Sequence, residues 1–195
     1  SVRYMEDKAY IVTFKQVDPL FVIDLSDNTN PQVLGELKIP GYSTYLHPYD
    51  ETHIIGFGYN TREDGTRITN EGLKMAMFDI SDVNNPRELF KVDIGNSYTS
   101  SDLTYNHKTL LYSKSKNIIG FPIMQYGKNQ ESTAMIYEIN LEKGFILKGE
   151  ISHGGNYNNR IERIIFSGDN YYTLSNKIIK ATNMDTFKNV GEIGL

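Results

Sequence analysis

Apolar and polar residues alternate over short stretches along most of the chain, and this period of two residues predicts β-strands. The stretches are rich in Ile, Val, Tyr and Phe, which favour strands. The i, i+3, i+4 spacing of an amphipathic helix is not sustained over any long window, so we predict a nearly all-β fold. The clearest strand patterns are AYIVTF (9–14), PLFVIDL (19–25), HIIGFGY (53–59), KMAMFDI (74–80), AMIYEI (134–139) and FILKGEI (145–151).

One segment of the sequence occurs twice. Residues 24–37 read DLSDNTNPQVLGEL, and residues 79–92 read DISDVNNPRELFKV. A looser copy, YEINLEKGFILKGEI, follows at 137–151, and the GEL at Gly35 recurs as GEI at Gly149 and Gly191. The first two copies begin 55 residues apart, at Asp24 and Asp79. A repeat of about this length is typical of propeller blades. We therefore predict one β-propeller domain over residues 1–195, with about four blades of four antiparallel strands at roughly 1–39, 43–94, 100–151 and 161–195.

The third predicted blade contains five extended stretches where four are needed. They are DLTY (102–105), TLLYS (109–113), NIIGFPIM (117–124), TAMIYEI (133–139) and FILKGEI (145–151). Either the innermost strand of this blade is broken or one strand extends past the sheet.

The repeated DxSDxxNP segment is expected to form the turn between the third strand of a blade and the outermost strand. Asp and Ser side chains can accept hydrogen bonds from backbone N–H groups a residue or two ahead, and proline is tolerated where a strand begins. A tight turn is the simpler interpretation. The alternative is a calcium site in each copy, because clustered side-chain oxygens suit that ion. Its ligands would be Asp24, Ser26, Asp27 and Asn30 in one copy, and Asp79, Ser81, Asp82 and Asn85 in the other.

Composition narrows the classes of partner. The net charge is −4, and the 20 Lys and Arg are scattered among 24 Asp and Glu, so no basic stripe predicts nucleic-acid or anionic membrane binding. There is no Cys, which excludes disulfides and Cys-based metal sites. No apolar run is long enough for a membrane-spanning helix, so membrane insertion is not expected. The chain begins at Ser1 without a signal-peptide pattern, and we expect it to be part of a longer precursor.

Several longer strings resemble a known domain. They are DPLFVIDLSDNTNP (18–31), GELKIPGYSTYLHPYDETHIIGFGY (35–59), GLKMAMFDISDVNNPREL (72–89), FILKGEISH (145–153) and IFSGDNYYTLSNKIIKA (165–181). Together they resemble the C-terminal β-propeller domain of secreted bacterial proteins, and the DxSDxxNP turns resemble those of LVIVD-type repeats. The resemblance implies a secreted or cell-surface protein, and it supplies no catalytic residues.

The two ends of the chain do not suggest ring closure. Ser1 opens on a predicted inner strand and NVGEIGL (189–195) is a predicted outer strand, so no strand exchange is evident. We favour part of a larger ring. A self-contained four-bladed ring and a pairing of two chains remain alternatives.

The sequence contains only weak candidates for metal and catalytic motifs. His47 and His53 flank a turn and could face each other across a hairpin, but two ligands are fewer than zinc needs. The segment NTREDGTRITNE (60–71) matches the spacing of a calcium loop, with Asp64 at position five and Glu71 at position twelve. Arg62 at a ligand position argues against calcium, and a solvated surface loop is the simpler interpretation. Neither a catalytic set nor a cofactor is predicted.

Tyrosines mark the most promising surface. The longest predicted loops, 60–73 and 125–132, lie on the same predicted face as the connections between blades. Tyr42, Tyr98 and Tyr157 each precede an inner strand, and Tyr126 lies in a loop beside them. Tyrosine on a loop is a good contact residue, although these rings could instead fill gaps between blades.

These observations support three hypotheses. The first is an extracellular, non-enzymatic module that binds a protein or a glycan through the long-loop face. The second is a metal-dependent hydrolase with its site in the propeller channel, since propellers can also host enzymes. The third is a structural or assembly element that docks on the rest of its parent chain.

Overall fold

The structure is a computed structural model that describes residues 1–13, 19–65, 67–127, 130–154 and 157–195, without the side chains of Glu63, Asp64 and Tyr157. The chain forms two compact units, Ser1–Ser97 and Tyr98–Leu195, and each is described by itself. Strands dominate both units. In the described ranges the only helical segments are three short 3₁₀ helices, at Asp102–Thr104, His107–Thr109 and Tyr157–Asn159.

The N-terminal unit contains two four-stranded antiparallel sheets, each built in chain order. Sheet 1 consists of β1 (Val2–Met5), β2 (Lys8–Val12), β3 (Leu20–Asp24) and β4 (Gln32–Leu37). Sheet 2 consists of β5 (Tyr42–Asp50), β6 (His53–Asp64), β7 (Arg67–Asp79) and β8 (Arg87–Ile94). The long strands β6 and β7 continue beyond their neighbours as a two-stranded hairpin, because β5 pairs only as far as Tyr59 and β8 only as far as Leu73.

The C-terminal unit also contains two antiparallel sheets in chain order. Sheet 3 consists of β9 (Thr99–Ser100), β10 (Leu111–Ser113), β11 (Ile118–Gln125), β12 (Glu131–Asn140) and β13 (Gly144–Ser152), and sheet 4 consists of β14 (Arg163–Ser167), β15 (Asn170–Leu174), β16 (Ile178–Asn183) and β17 (Asn189–Gly194). Both β9 and β10 pair with β11. The innermost strand of sheet 3 is therefore interrupted, which is the first of the two predicted alternatives.

The segment DLTY is not extended, contrary to the prediction. Asp102–Thr104 forms a 3₁₀ helix that separates β9 from β10, and the side chain of Ser101 caps it by accepting a hydrogen bond from Leu103 N at 3.2 Å. A Ser before an Asp is a good helix start. This local capping outweighs the alternating pattern of the segment.

Each unit has a core between its two sheets. In the N-terminal unit, one face of sheet 1 (Tyr10, Val12, Leu20, Val22) packs with one face of sheet 2 (Leu46, Ile54, Ala76, Phe78), and all eight side chains are buried. In the C-terminal unit, sheet 3 contributes Leu111, Ile118, Ala134, Ile136 and Ile151, sheet 4 contributes Ile164 and Tyr171, and Met184 joins them from the turn after β16. Burial of these apolar side chains is the main stabilising term for each pair of sheets.

The turn between the third and fourth strands is built in the same way in all four sheets. In each, the last residue of the third strand is Asp or Asn, and its Oδ1 accepts a hydrogen bond from a backbone N–H two residues ahead. The pairs are Asp24 with Ser26 (2.9 Å), Asp79 with Ser81 (2.9 Å), Asn140 with Glu142 (2.9 Å) and Asn183 with Asp185 (3.2 Å). The predicted role of Asp24 and Asp79 as turn formers is confirmed, and Asn140 and Asn183 form the turn in the same way in the other two sheets.

A β-bulge accompanies each of these turns, because the register between the third and fourth strands shifts once in every sheet. The residue after the bulge is Gly35 in sheet 1 and Gly149 in sheet 3. A Cβ at Gly35 would lie 2.4 Å from the carbonyl oxygen of Val83, in the turn of sheet 2, and a Cβ at Gly149 would lie 2.5 Å from the ring of Phe187, in the turn of sheet 4. Glycine at this position lets the turn of the next sheet approach the outer strand.

Candidate functional site

Two of the predicted tyrosines lie side by side in the C-terminal unit. The backbone N–H of Tyr126 donates a hydrogen bond to the carbonyl of Tyr98 at 2.9 Å, which continues the pairing of β9 with the end of β11. The Tyr98 side chain is 66% exposed and that of Tyr126 is 37% exposed. Gly127, at φ +142°, turns the chain immediately after Tyr126. Both tyrosines are therefore partly exposed at the end of a well-anchored strand.

The other two tyrosines occupy different settings. Tyr157 begins the 3₁₀ helix Tyr157–Asn159 in the C-terminal unit, and its side chain lies outside the described residues. Tyr42 belongs to the N-terminal unit, where its ring packs against that of Tyr59 with centroids 5.5 Å apart. Tyr42 is half-buried at the start of β5 and thus fills part of sheet 2 as well as reaching the surface.

A charged cluster in the C-terminal unit was not predicted from the sequence. The guanidinium Nη2 of Arg160 and the hydroxyl of Tyr105 both donate short hydrogen bonds to Oδ1 of Asp102. Tyr105 is 76% exposed, whereas the side chains of Arg160 and Asp102 are only 23% and 17% exposed. The Ser101–Asp102 capping pattern is the one sequence signal for this cluster. Arg160, 58 residues further along the chain, gives none.

The base of this cluster is fixed by buried hydrogen bonds. Ser101 is 3% exposed and its Oγ donates to the carbonyl of Pro122 at 2.5 Å. Ser132 is fully buried, and its Oγ accepts from the N–H of Ile161 at 2.9 Å. These bonds tie the residues next to Asp102 and Arg160 to strands β11 and β12. The two charged side chains are thus presented from rigid backbone.

The cluster forms part of the wall of an open cavity of about 240 Å³. Two acids, two arginines and three asparagines line it, so its formal charge balances and it offers both hydrogen-bond donors and acceptors. The lining residues are Asp102, Asn106, Asn158, Arg160, Glu162, Arg163 and Asn176.

Parts of this lining are already engaged with the protein. Asn106 caps the helix His107–Thr109 by accepting from Lys108 N at 3.2 Å, and Arg163 donates from Nη1 to the carbonyl of Glu162 at 2.7 Å. The side chains of Asn158 and Asn176 are exposed. Their amides therefore add donors and acceptors on the solvent side of the cavity.

The histidines do not form the predicted cross-hairpin pair. His47 lies opposite Ile55 and His53 lies opposite Asp50, so the two imidazoles are at different positions of the ladder. His47 Nδ1 is 2.9 Å from the Tyr45 hydroxyl, and His53 Nδ1 is 2.8 Å from Asp50 Oδ1. Burial, with a smaller contribution from Arg3, lowers the pKa of His47 to about 4. His107 lies on an exposed 3₁₀ helix and His153 is buried after β13.

Of the two calcium candidates, Glu71 has a charged partner within the chain. Asn60–Glu71 is not a loop but a hairpin, in which Asp64 is opposite Arg67, and Glu71 Oε1 is 3.2 Å from Arg62 Nε. A calcium loop must instead wrap around the ion. The side chain of Asp64 lies outside the described residues. Across the part of the chain that the structure describes, no three His, Asp or Glu residues are grouped closely enough to hold a metal ion.

Two uncharacterised proteins are similar to this chain in sequence. An uncharacterised protein of Methanocaldococcus jannaschii is 57% identical over 91 residues, which is 47% of this chain and 13% of that protein. An uncharacterised protein of Archaeoglobus fulgidus is 33% identical over 195 residues, which is the whole of this chain and 27% of that protein. The chain thus spans about a quarter or less of the length of these relatives. Both are archaeal, so the bacterial setting implied by the sequence resemblance gains no support from them.

The fold is also found among solved structures. The crystal structure of a Lactobacillus plantarum protein matches 97% of this chain and 53% of its own, with a TM-score of 0.52 and 10% identity. At that identity the likeness concerns the fold alone. In the described residues no helix is both long and apolar enough to span a membrane. The model of the Beta propeller domain family matches residues 1–187, in agreement with the four antiparallel sheets, and the chain therefore belongs to that family.

Proposed function

We propose that this chain is a non-enzymatic binding module that holds a glycan at the cavity beside Asp102 and Arg160. The observation that carries the proposal is the lining of this cavity, in which an ion pair held on rigid backbone is surrounded by carboxamides. Planar amide, carboxylate and guanidinium groups can donate to and accept from neighbouring sugar hydroxyls. A balanced lining suits an uncharged polar ligand better than an ion.

The exposed tyrosines support the same function. Tyr105 contacts the ion pair directly through its hydroxyl, and Tyr98 lies at the other end of the short segment that leads to Asp102. Aromatic rings bind apolar faces of a ligand at a low cost in conformational entropy. A sugar has both hydroxyl edges and C–H faces, so a cavity of hydrogen-bonding groups beside tyrosine rings fits its two kinds of surface.

The setting we propose for this module is the cell surface or the extracellular space. The support for it is the resemblance of the repeated turns to those of secreted propeller proteins. A protein partner at the exposed tyrosines is the competing interpretation, and the experiment below separates it from a glycan.

Saturation-transfer-difference NMR with a panel of neutral and acidic mono- and disaccharides tests the proposal. We expect at least one neutral sugar to receive saturation from the wild-type chain. The double variant Asn158→Ala/Asn176→Ala should weaken that binding about thirtyfold, because the two lost amides together remove hydrogen bonds worth about 2 kcal/mol. Asn84→Ala is the matched control, since Asn84 is an exposed turn residue of the N-terminal unit.

Three outcomes would contradict the glycan proposal. The first is no saturation transfer to any sugar of the panel. The second is equal binding by the double variant and by Asn84→Ala. The third is capture of a protein that depends on Tyr98 and Tyr126 but not on Asn158 and Asn176, which would favour a protein partner instead.

A further inference from the structure

Gly191 occupies the same position in sheet 4 as Gly35 in sheet 1 and Gly149 in sheet 3. All three follow the bulge on the fourth strand of their sheet. A Cβ at Gly35 or Gly149 would collide with the turn of the following sheet, whereas a Cβ at Gly191 would have no described atom within 4 Å. Gly191 therefore has the geometry of a sheet junction without the turn that occupies it at the other two positions.

The face of sheet 4 that contains Gly191 is apolar and incompletely covered. Paired residues on an antiparallel sheet share a face. On this face the ladder positions are Ile165, Tyr172, Ala181 and Gly191 in one row, and Arg163, Leu174, Ile179 and Ile193 in the next. Ile165 is 52% exposed and Ile193 is 64% exposed. An apolar face of this kind marks an interaction surface.

Sheet 1 has a matching apolar face. Its rows are Tyr4, Ala9, Ile23 and Val33, followed by Val2, Ile11, Phe21 and Glu36. Tyr4 is 69% exposed and Val33 is 63% exposed. The only charged residue in these rows is Glu36, and the only charged residue in the rows of sheet 4 is Arg163. The two faces thus resemble each other in apolar character and carry opposite charges.

The repeat shows what this face of sheet 1 is built to contact. Aligning Asp24 with Asp79 places Ile23 at the position of Phe78 and Phe21 at the position of Ala76. Phe78 and Ala76 belong to the face through which sheet 2 packs on sheet 1. The exposed face of sheet 1 is therefore the counterpart of a face that, one repeat later, receives the preceding sheet.

We propose that a second copy of this chain docks its sheet 1 on the exposed face of sheet 4, and so repeats the junction between sheets 1 and 2. In the alignment, Asn28 and Thr29 correspond to Val83 and Asn84, the residues that lie over Gly35. The turn Ser26–Pro31 of the second copy lies over Gly191 in the same way. Ile193 and Ile165 pack against Phe21, Ile23 and Val33 of the second copy.

This contact is head-to-tail, because it joins different faces of the two copies. In a pair of copies, one copy still has its sheet 1 face open and the other still has its sheet 4 face open. Further copies can therefore be added until the assembly closes into a ring, or without limit. The two faces can be blocked separately, which gives a test that does not depend on the number of copies in the assembly. The proposal does not depend on glycan binding, although Arg163 belongs both to the cavity lining and to this face of sheet 4.

Light scattering after size-exclusion chromatography, over a concentration series from micromolar to millimolar, measures the assembly. We expect the mass of the wild-type chain to rise with concentration. Ile165→Lys/Ile193→Lys should block sheet 4, and Tyr4→Lys/Val33→Lys should block sheet 1. Each of these variants alone should remain monomeric. All four side chains are more than half exposed, so the folded monomer should be retained, and circular dichroism checks this.

Mixing the two blocked variants provides the decisive measurement. One variant keeps an intact sheet 1 face and the other an intact sheet 4 face, so the mixture should form a one-to-one dimer and nothing larger. Leu147→Lys is the matched control, since Leu147 is 46% exposed on sheet 3 and should leave assembly unchanged. A wild-type chain that stays monomeric throughout overturns the proposal. A mixture of the two blocked variants that forms no dimer also overturns it. Continued self-association of Tyr4→Lys/Val33→Lys would overturn it too, because this result would indicate that the exposed face of sheet 4 pairs with itself.

Discussion

Arg87 donates two hydrogen bonds to one carboxylate oxygen of Asp79, from Nε at 2.9 Å and from Nη2 at 2.7 Å. The pair joins the end of β7 to the start of β8, on either side of the turn. Asp79 is 7% exposed. Hydrogen bonds from Ser81, together with Arg87, lower the pKa of the Asp79 carboxyl to about 2. In the matching turn of sheet 1, Gln32 stands where Arg87 stands in sheet 2.

The variant Asp79→Asn should have a free energy of unfolding that depends less on pH in the acidic range than that of wild type. Because the pKa of Asp79 is lower in the folded chain than in the unfolded one, its stabilising effect is complete above about pH 4 and is lost as the pH falls toward 2. The effect is at most about 2 kcal/mol. Asn can still form the turn, as Asn140 and Asn183 do. Urea unfolding between pH 5 and pH 2 should show a shallower fall for the variant than for wild type.

The control for this experiment is Asp93→Asn, which removes a carboxylate that is 55% exposed on the same sheet. This variant should show the same fall of unfolding free energy between pH 5 and pH 2 as wild type. Equal dependence of the unfolding free energy on pH for wild type and Asp79→Asn would show that the contacts of Asp79 with Ser81 and Arg87 do not stabilise its charged form in the folded chain.

Replacing Gly35, Gly149 or Gly191 by alanine should lower the free energy of unfolding to three different extents. Gly35→Ala should be the most destabilising, by about 1–3 kcal/mol, because the obstructing atom is the backbone carbonyl of Val83. Gly149→Ala should cost less than Gly35→Ala, since the Phe187 side chain can shift. Gly191→Ala should change the stability of the monomer by less than about 0.5 kcal/mol. Thermal unfolding at low protein concentration measures all three.

Gly191→Ala serves as the control for the other two variants, since all three lose the same backbone freedom at equivalent positions. Three equal losses of stability would mean that the cost comes from the backbone itself and not from the neighbouring turn.

Lys74 should stabilise the N-terminal unit by holding the segment that connects sheet 1 to sheet 2. Its side chain is 1% exposed, its Nζ donates to the carbonyl of Pro40 at 2.6 Å, and Glu88 Oε2 lies 3.9 Å away. Burial lowers the pKa of this amine. Lys74→Ala leaves the Pro40 carbonyl and the Glu88 carboxylate without this partner and opens a cavity, so we expect a loss of about 2–4 kcal/mol in urea unfolding.

Lys180 offers a matched comparison in the C-terminal unit. Its Nζ donates to the carbonyl of Ser152 at 2.6 Å and lies 3.7 Å from Glu192, but its side chain is 18% exposed. Water can replace the amine there, so Lys180→Ala should cost less than Lys74→Ala. The reverse order would contradict the role given to burial.

His153 should make the protein less stable in mild acid. It is 5% exposed, its Nε2 lies 2.8 Å from Thr173 Oγ1, and its Nδ1 has no hydrogen-bond partner among the described residues. Burial, assisted by the charge of Lys180, lowers the pKa of His153 to about 4. The unfolded chain binds the proton near pH 6.5. Stability is therefore complete above about pH 6.5 and falls as the pH drops toward 4.

His153→Gln should remove part of this pH dependence, by at most about 3 kcal/mol. His47, whose pKa is also about 4, accounts for a further part. His107→Gln is the control because His107 is exposed. Melting temperatures from pH 7.5 to pH 4 test the prediction, and identical profiles for His153→Gln and His107→Gln would contradict it.

The sequence by itself determined the all-β fold and its repeated turn. Alternating apolar residues and the Asp–Ser–Asp–Asn–Pro pattern are local signals, since strand periodicity and side-chain to backbone hydrogen bonds act over a few residues. Where two local signals competed, the prediction was wrong. DLTY alternates like a strand but begins with a cap, and the residues around Asp64 and Gly65 read as a loop although they continue two paired strands.

Only the tertiary structure decided the candidate site and the sheet junctions. Arg160 reaches Asp102 from 58 residues away, and the space at Gly149 is limited by Phe187 from another sheet. The GEI motif is the same at Gly149 and Gly191, yet one glycine is covered and the other is open. The physical reason is that contacts between sheets depend on which faces are brought together by packing, and apolar attraction between faces has no direction that a short sequence pattern can encode.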